Sequence, residues 1–373
     1  MIQEVQQEVR LVTGAMASLL YNEDTSTKIN LLNRGVWMMK ETVAAPAATA
    51  GMLKQKMNSR FRRNGIVYGL ISGLTFGLYS TVVALAMMKE PFLGIIGAFA
   101  APIVASAIND ALAAIWLLIW NIKKGKIKEI GRSLVTIPGL MVAIAAVFGG
   151  PIANGAYLVG IDMAGAAAIP ISALCPMFGA IFARMFLKQK IDKRVAVGMF
   201  ICVIGAALIS YVKPEGGVEN FTLGIVFALV AALGWGLEGV FATFGMSMLD
   251  SNIAITIREG VSGIVYIAVL VPIFGATDLF ASALGSVSPM LIIAAAALFT
   301  AISFLTWYMA NNMVGVAVGM SLNITYVLWG VVFAAIFLGD ALTPTVIAGA
   351  IIITIGALLV SMNPMDLFKK KEA

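Results

Sequence analysis

Four charged residues lie inside long apolar runs of the sequence: Asp110, Glu238, Arg258 and Glu259. A charge at the centre of a bilayer costs about 2.5–3.5 kcal/mol on insertion scales, so such residues usually face a bundle interior or a wet cavity. Three carboxylates and one guanidinium together carry a formal net charge of −2. This balance favours a cationic or zwitterionic, amine-bearing cargo, or a coupling proton, over a phosphorylated one.

A structural role for these charges is the alternative. Arg258 lies near the start of its apolar run, where it would either pair with Glu259 or Asp110 or extend its guanidinium to the membrane interface. Asp110 and Glu238 lie deeper, which favours function for them. Glu238 is also a candidate protonatable switch.

Aromatic and amide side chains accompany the charges. Aromatic faces attract ammonium groups. Packing and interfacial anchoring are the commoner fate of Trp and Tyr in membranes. The candidates for lining a cargo site are Tyr79, Asn109, Trp235, Trp307, Tyr308, Asn323 and Tyr326.

The composition identifies the class of protein that must position these residues. The chain has 373 residues, of which 60% are hydrophobic and only 12% charged, whereas soluble domains contain about 25% charged residues. Helices of about 20 residues span a bilayer, because lipid offers no partner for unpaired backbone groups. The sequence therefore predicts an all-α polytopic membrane protein with ten transmembrane helices. The predicted runs are Gly65–Met88, Ala98–Asn121, Leu134–Leu158, Ala164–Leu187, Val195–Val212, Leu223–Met248, Ile253–Phe274, Met290–Met313, Gly315–Leu338 and Thr345–Met362.

The basic residues set the predicted orientation. With ten spans, the Lys- and Arg-rich loops all fall on one side, which places both termini in the cytosol of a cell-membrane protein. Residues 1–63 are predicted to form a helical, amphipathic cytosolic extension, and residues 364–373 a basic cytosolic tail. A membrane scaffold or lipid-handling protein, whose extension binds a cytosolic partner, is the alternative function.

Several chemistries are disfavoured. The chain has no histidine, both of its cysteines lie in apolar runs, and it contains no P-loop. We therefore expect neither an enzyme nor a bound metal or cofactor. Coupling to a proton or ion gradient stays open, as does a homodimer. The expected partners are a small-molecule substrate and the lipid bilayer, but not nucleic acid.

The two halves of the chain resemble each other. Ile204–Ser210 matches Ile355–Ser361 at an offset of 151 residues, and Ala105–Asp110 matches Ala254–Glu259 at an offset of 149. The second match pairs Asp110 with Glu259. Five helices per repeat is an odd number, so the copies are inverted, an arrangement typical of transporters with a midplane site. The predicted boundaries are 64–213 for the first repeat, 214–220 for an outer linker and 221–363 for the second repeat.

Several features occur in a specific order along the chain: the Gly-rich starts of both halves, Pro176, Arg258 and the segment Phe337–Pro344. Through these features the chain resembles the drug/metabolite transporter superfamily, and most closely its EamA-type ten-helix members. The resemblance implies alternating access, with helices three, four, eight and nine as the moving walls. The first repeat departs from the family pattern, because Asn109 stands in place of the arginine and Gln189 in place of the acid.

Overall fold

A computed structural model describes residues 59–93, 99–164, 168–209, 221–339 and 343–361. Within these ranges the chain is helical and contains no strand. Residues from Arg62 onward form one compact unit. Most of the predicted N-terminal extension, the outer linker and the basic tail fall outside the described ranges, and so does Asp340.

The first repeat supplies five helices to the described part. They are α1 (Ser59–Met87), α2 (Ala100–Lys123), α3 (Ile137–Val147, a π-helical turn at Phe148–Asn154, then Gly155–Ala164), α4 (Ala168–Ser172 and Cys175–Phe186) and α5 (Lys193–Ile209). A short helix, Ile127–Leu134, joins α2 to α3.

The second repeat supplies five more. They are α6 (Phe221–Gly245), α7 (Ser251–Val265, a π-helical turn at Tyr266–Leu270, then Val271–Ile273), α8 (Val287–Val314), α9 (Val316–Asn323 and Tyr326–Phe337) and α10 (Pro344–Ser361). A short helix, Thr277–Gly285, joins α7 to α8.

The predicted all-helical membrane fold is confirmed. Seven of the described helices, namely α1, α2, α3 and α6 to α9, are long and apolar enough to cross a bilayer. The other three, α4, α5 and α10, are shorter than the roughly 20 residues of a full span. Ten crossings therefore remain a prediction, although each predicted run corresponds to a helix.

The internal repeat is visible in where the helices break. Helix α4 is interrupted between Ser172 and Cys175, and α9 between Asn323 and Tyr326. These breaks are equivalent at the offset of 151 residues that the sequence match gave. The packing repeats as well, because α2 contacts α7 and α8 while α7 contacts α2 and α3.

The first helix of each repeat packs against the other repeat. A Cβ added at Gly69 of α1 would lie 2.8 Å from Leu322 of α9, and one at Gly236 of α6 would lie 3.0 Å from the Gly179 backbone of α4. Such distances leave no space for a side chain, which explains the Gly-rich starts of both halves. The close packing of α1 against α9, and of α6 against α4, brings Tyr79 and Glu238 to the interface between the repeats.

Asp250 fixes the start of α7. Its Oδ1 accepts from the Asn252 N–H at 2.8 Å, and its Oδ2 pairs with Lys126 Nζ at 2.8 Å across the loop after α2. Burial alone would raise the pKa of Asp250. Hydrogen bonds from Lys126 and Asn252, together with the Lys126 charge, outweigh burial and hold that pKa below its usual range.

Replacing Asp250 by alanine should lower the free energy of unfolding by about 1 kcal/mol, the usual cost of losing an N-cap. A lowered folded-state pKa means that the carboxylate stabilises the protein above its unfolded pKa of about 3.9, and that this stability disappears as pH falls through the lower folded value. Thermal unfolding in detergent from about pH 7 to about pH 2 checks this, because the gap between wild type and variant should narrow progressively below about pH 4. The matched control removes the exposed Asp278. A gap that stays constant with pH would contradict the assignment.

Candidate functional site: a buried charge cluster and an aromatic cavity

Arg258 is the centre of a buried charge cluster, which comprises Asp110, Glu238, Arg258 and Glu259. Its Nε donates to Glu238 Oε1 at 2.7 Å and its Nη1 to Glu259 Oε1 at 2.9 Å. Nη1 also lies 3.8 Å from Asp110 Oδ2. Arg258 is 2% exposed, so it does not extend to the membrane interface, and the ion-pairing alternative is the one that the structure shows.

Neutral side chains hold the Asp110 arm of the cluster. Ser262 Oγ donates to Asp110 Oδ2 at 2.6 Å, and Asn109 Nδ2 donates to Asp110 Oδ1 at 3.2 Å. Thr300 Oγ1 of α8 in turn donates to Asn109 Oδ1 at 3.1 Å. Asp110 and Glu259, the residues paired by the repeat, therefore meet through Arg258 and not directly.

The π-helical turn of α3 brings its backbone against the cluster. The turn contains Gly149, Gly150 and Pro151, and a proline inside a helix frees backbone carbonyls from intrahelical bonds. Trp235 Nε1 donates to the Gly149 carbonyl at 3.1 Å, and Tyr266 OH donates to the Gly150 carbonyl at 3.2 Å. A Cβ at Gly149 would overlap the Glu238 carboxylate, so glycine at this position makes room for the acid.

A cavity of about 530 Å³ lies next to the cluster. Its lining side chains come from both repeats, and seven of them are aromatic. They are Phe76 and Tyr79 of α1, Tyr157 of α3, Trp235 of α6, Phe304 and Trp307 of α8, and Tyr326 of α9. Phe76 alone contacts Tyr79, Phe304 and Tyr326 at ring-centroid distances of 5.2, 5.8 and 4.9 Å. Phe304 also contacts Trp307, so five of the seven rings form one contact cluster, while Tyr157 and Trp235 contact each other.

Glu238 is shared by the cavity and the cluster. It is the one charged side chain in the cavity wall within the described part of the chain, yet it is 0% exposed. The carboxylate therefore lies just behind the lining side chains, with its Oε2 against the Gly149 backbone. Its Oε1 binds Arg258, whereas its Oε2 has no hydrogen-bond partner among the described residues.

Phe304, like Glu238, connects the charge cluster with the cavity. The Arg258 guanidinium carbon lies 4.2 Å from the centroid of the Phe304 ring, in cation–π geometry. The ring itself belongs to the cavity wall.

The described residues contain no group of three or more His, Cys, Asp or Glu side chains arranged to hold a metal ion. This agrees with the chemistry of the cluster, whose centre is a guanidinium.

Comparison with known proteins identifies the family. The model of the EamA-like transporter family matches this chain twice, over residues 63–211 and 222–362. The chain belongs to the EamA-like transporter family. Protein LicB of Haemophilus influenzae is 27% identical over 224 residues, which cover 58% of this chain and 73% of that protein. A crystal structure of a protein that is 16% identical matches with a TM-score of 0.57, covering 78% of this chain and 96% of the other, and supports the fold.

This EamA-like transporter places the predicted site residues in two groups. The cavity wall contains Tyr79, Trp235, Glu238, Trp307, Asn323 and Tyr326. The side chains behind it, in or against the charge cluster, are Asn109, Asp110, Arg258, Glu259 and Tyr308, whose OH lies 3.5 Å from Glu238 Oε1. Whether cargo touches either group remains a prediction.

The sequence analysis missed residues that complete the site. Phe304, Ser262 and Thr300 are ordinary residues of apolar helices, with no charge to attract notice. Ser262 lies four residues after Arg258, on the same helix face, and this spacing was the one signal that the sequence offered.

Proposed function

We propose that this EamA-like transporter is a secondary active transporter that moves a small cationic or zwitterionic, amine-bearing metabolite through the aromatic cavity by alternating access. The observation that carries the proposal is Glu238, a carboxylate with an unpartnered Oε2 in the wall of an aromatic cavity. An ammonium group in the cavity gains both an ion pair and cation–π contacts. A neutral molecule of the same size gains neither.

The charge balance of the cluster supports the same cargo. Three carboxylates surround one guanidinium in an apolar interior. Buried charges are tolerated when paired and are costly when left without compensation. A bound cation, or protons held by the carboxylates, supplies the missing positive charge. Coupling of transport to a proton or ion gradient is therefore part of the proposal.

The walls of the cavity fit alternating access. Four of the helices that line it are α3, α4, α8 and α9, through Tyr157, Cys175, Trp307 and Asn323 among others. Helices α4 and α9 are both interrupted beside the cavity, which Cys175 and Asn323 line, and interrupted helices typically form the binding sites of transporters. We place the transporter in the cell membrane with both termini in the cytosol, on the basis of the Lys and Arg distribution.

The scaffold or lipid-handling alternative depends on the N-terminal extension. Residues 1–58 lie outside the described ranges, so no observation favours it. The cavity between the repeats is what a transporter requires and a scaffold does not.

Uptake into proteoliposomes tests the proposal. The purified protein is reconstituted and offered four labelled probes: tetramethylammonium, ethanolamine, β-alanine and tert-butanol, with and without an imposed pH gradient. We expect saturable uptake of at least one of the charged probes and none of tert-butanol beyond empty liposomes. Equal uptake of all four probes, or of none, would contradict an amine-selective transporter.

A further inference from the structure

The first part of α9, Val316–Asn323, is wedged between other helices. A Cβ added at Gly69 of α1 would meet this segment at 2.8 Å, and one at Gly239 of α6 would lie 3.1 Å from Val316. Gly179 of α4 leaves room for the sulfur of Met320 in the same way. The segment also forms part of the cavity wall, through Met320 and Asn323.

The helical backbone is interrupted at both ends of this segment. Gly315, which separates it from α8, has a φ of 88°, a backbone conformation that favours glycine. At its other end the helix is interrupted at Ile324 and Thr325 before α9 resumes. The segment is therefore bounded at both ends by non-helical backbone, which separates it from α8 and from the second half of α9.

An unsatisfied polar side chain lies beneath the segment. Asn311 of α8 is 0% exposed and faces Gly319, where a Cβ would overlap its amide. Neither Oδ1 nor Nδ2 has a hydrogen-bond partner among the described residues. Leaving a buried polar group unpaired costs about 1–3 kcal/mol, so a buried asparagine with both atoms unpaired calls for an explanation.

Trp307 connects Asn311 to the cavity. It lies four residues earlier on α8, on the same helix face, and its ring lines the cavity. Its Nε1 also has no hydrogen-bond partner in the part of the chain that the structure describes. Two side chains one helical turn apart therefore present one acceptor and two kinds of donor with no partner among the described residues, beginning at the cavity wall.

We propose that Asn311 and the Trp307 indole form a second cargo-binding site, which the Val316–Asn323 segment covers in this conformation. The inference rests on the proposed function. Asn311 Oδ1 accepts from the N–H of an ammonium group, while Asn311 Nδ2 and Trp307 Nε1 donate to a hydroxyl or carboxylate oxygen. The cargo class is accordingly an amine that also carries a hydroxyl or carboxylate. When the segment moves about Gly315, the cargo passes from Glu238 to this second site during transport.

The test compares two probes in one variant. Asn311→Leu replaces the amide by an apolar group of similar size and breaks no hydrogen bond seen in the described residues, so folding and equilibrium binding at Glu238 should be retained. Uptake of ethanolamine, which has an N–H donor and a hydroxyl, should fall about tenfold or more. Uptake of tetramethylammonium, which has no hydrogen bond to lose, should change by less than about threefold.

Two further variants separate this site from structural effects. Asn121→Leu is the control for replacing a buried asparagine by leucine. Asn121 Nδ2 donates to Thr256 Oγ1 at 2.8 Å, and the loss of this hydrogen bond should lower thermal stability. Asn311→Ala replaces Asn311→Leu if the larger side chain prevents folding. A stable Asn311 variant with unchanged ethanolamine uptake, or with equal losses for both probes, overturns the second site. Wild-type protein that carries none of the charged probes overturns the proposed function instead.

Discussion

Glu238→Gln is expected to weaken the binding of a permanent cation such as tetramethylammonium by about thirtyfold or more. Removing one partner of a buried charge pair typically costs about 2–5 kcal/mol, and each 1.4 kcal/mol is about a factor of ten in the dissociation constant. The substitution is isosteric. In the wild type, Arg258 Nε donates to Glu238 Oε1 at 2.7 Å, and the amide oxygen of glutamine can accept the same hydrogen bond. Folding should therefore be preserved.

Equilibrium binding to the purified protein measures this effect. The control is Glu90→Gln, which makes the same change of charge at an exposed position outside the cavity wall and should leave the dissociation constant unchanged. If Glu238→Gln binds tetramethylammonium as tightly as wild type while remaining folded, Glu238 is not the cargo carboxylate.

Arg258→Gln should have the largest effect on stability, about 3–5 kcal/mol, because it leaves three buried carboxylates without their one cation. Glu259→Gln should cost much less, within about 1 kcal/mol, since Arg258 keeps Glu238 and Asp110 as partners. The two variants differ in their cost to stability because the cluster contains three anions and one cation. Chemical unfolding in detergent micelles measures both variants.

The double variant Arg258→Gln/Glu259→Gln completes a mutant cycle. Neutralising one carboxylate when the guanidinium is already absent removes part of the uncompensated charge, so the double variant should be more stable than Arg258→Gln alone. Equal destabilisation by Arg258→Gln and Glu259→Gln, with no recovery in the double variant, would show that the four groups do not share one charge balance.

The helical fold could be predicted from the sequence because the same signals, apolar runs and matching segments, recur along the chain. Apolar runs near the length of a bilayer span predict helices, and a match such as Ile204–Ser210 with Ile355–Ser361 predicts the inverted repeat. Pro170 and Pro176 predict a bend in α4, and the structure interrupts that helix between Ser172 and Cys175. The equivalent break in α9, at Ile324 and Thr325, has no proline and was not predicted.

The site could be predicted only in part. Its contacts join side chains of different helices, and the sequence does not determine how deep each helix lies relative to its neighbours. The repeat offset differs between helix pairs, being 151 for Ile204 and Ile355 but 149 for Asp110 and Glu259. A shift of one or two residues rotates a helical side chain by 100° or more. For this reason the sequence named Glu238 and Arg258 but not their mutual ion pair.

The π-helical turn of α3 was beyond sequence reasoning for a different reason. Gly149, Gly150 and Pro151 predict a local irregularity, but not that a wide turn places the Gly149 backbone against the Glu238 carboxylate. Phe304 was missed likewise, since its cation–π contact with Arg258 depends on the packing of α7 against α8.

Cys175 gives the most direct test of the central claim, that an amine cargo occupies the aromatic cavity beside Glu238. It is a free, half-buried thiol in the cavity wall, whereas Cys202 is fully buried against α10, with its Sγ 3.7 Å from the Ile353 carbonyl. The measurement is the rate at which a small mercurial labels Cys175 in a Cys202→Ala background, with and without saturating tetramethylammonium. We expect the cation to slow labelling strongly and tert-butanol to have no effect, and we expect Glu238→Gln to need about thirtyfold more cation for the same protection. Labelling that proceeds at the same rate in the presence of a cation that the protein transports would contradict the account.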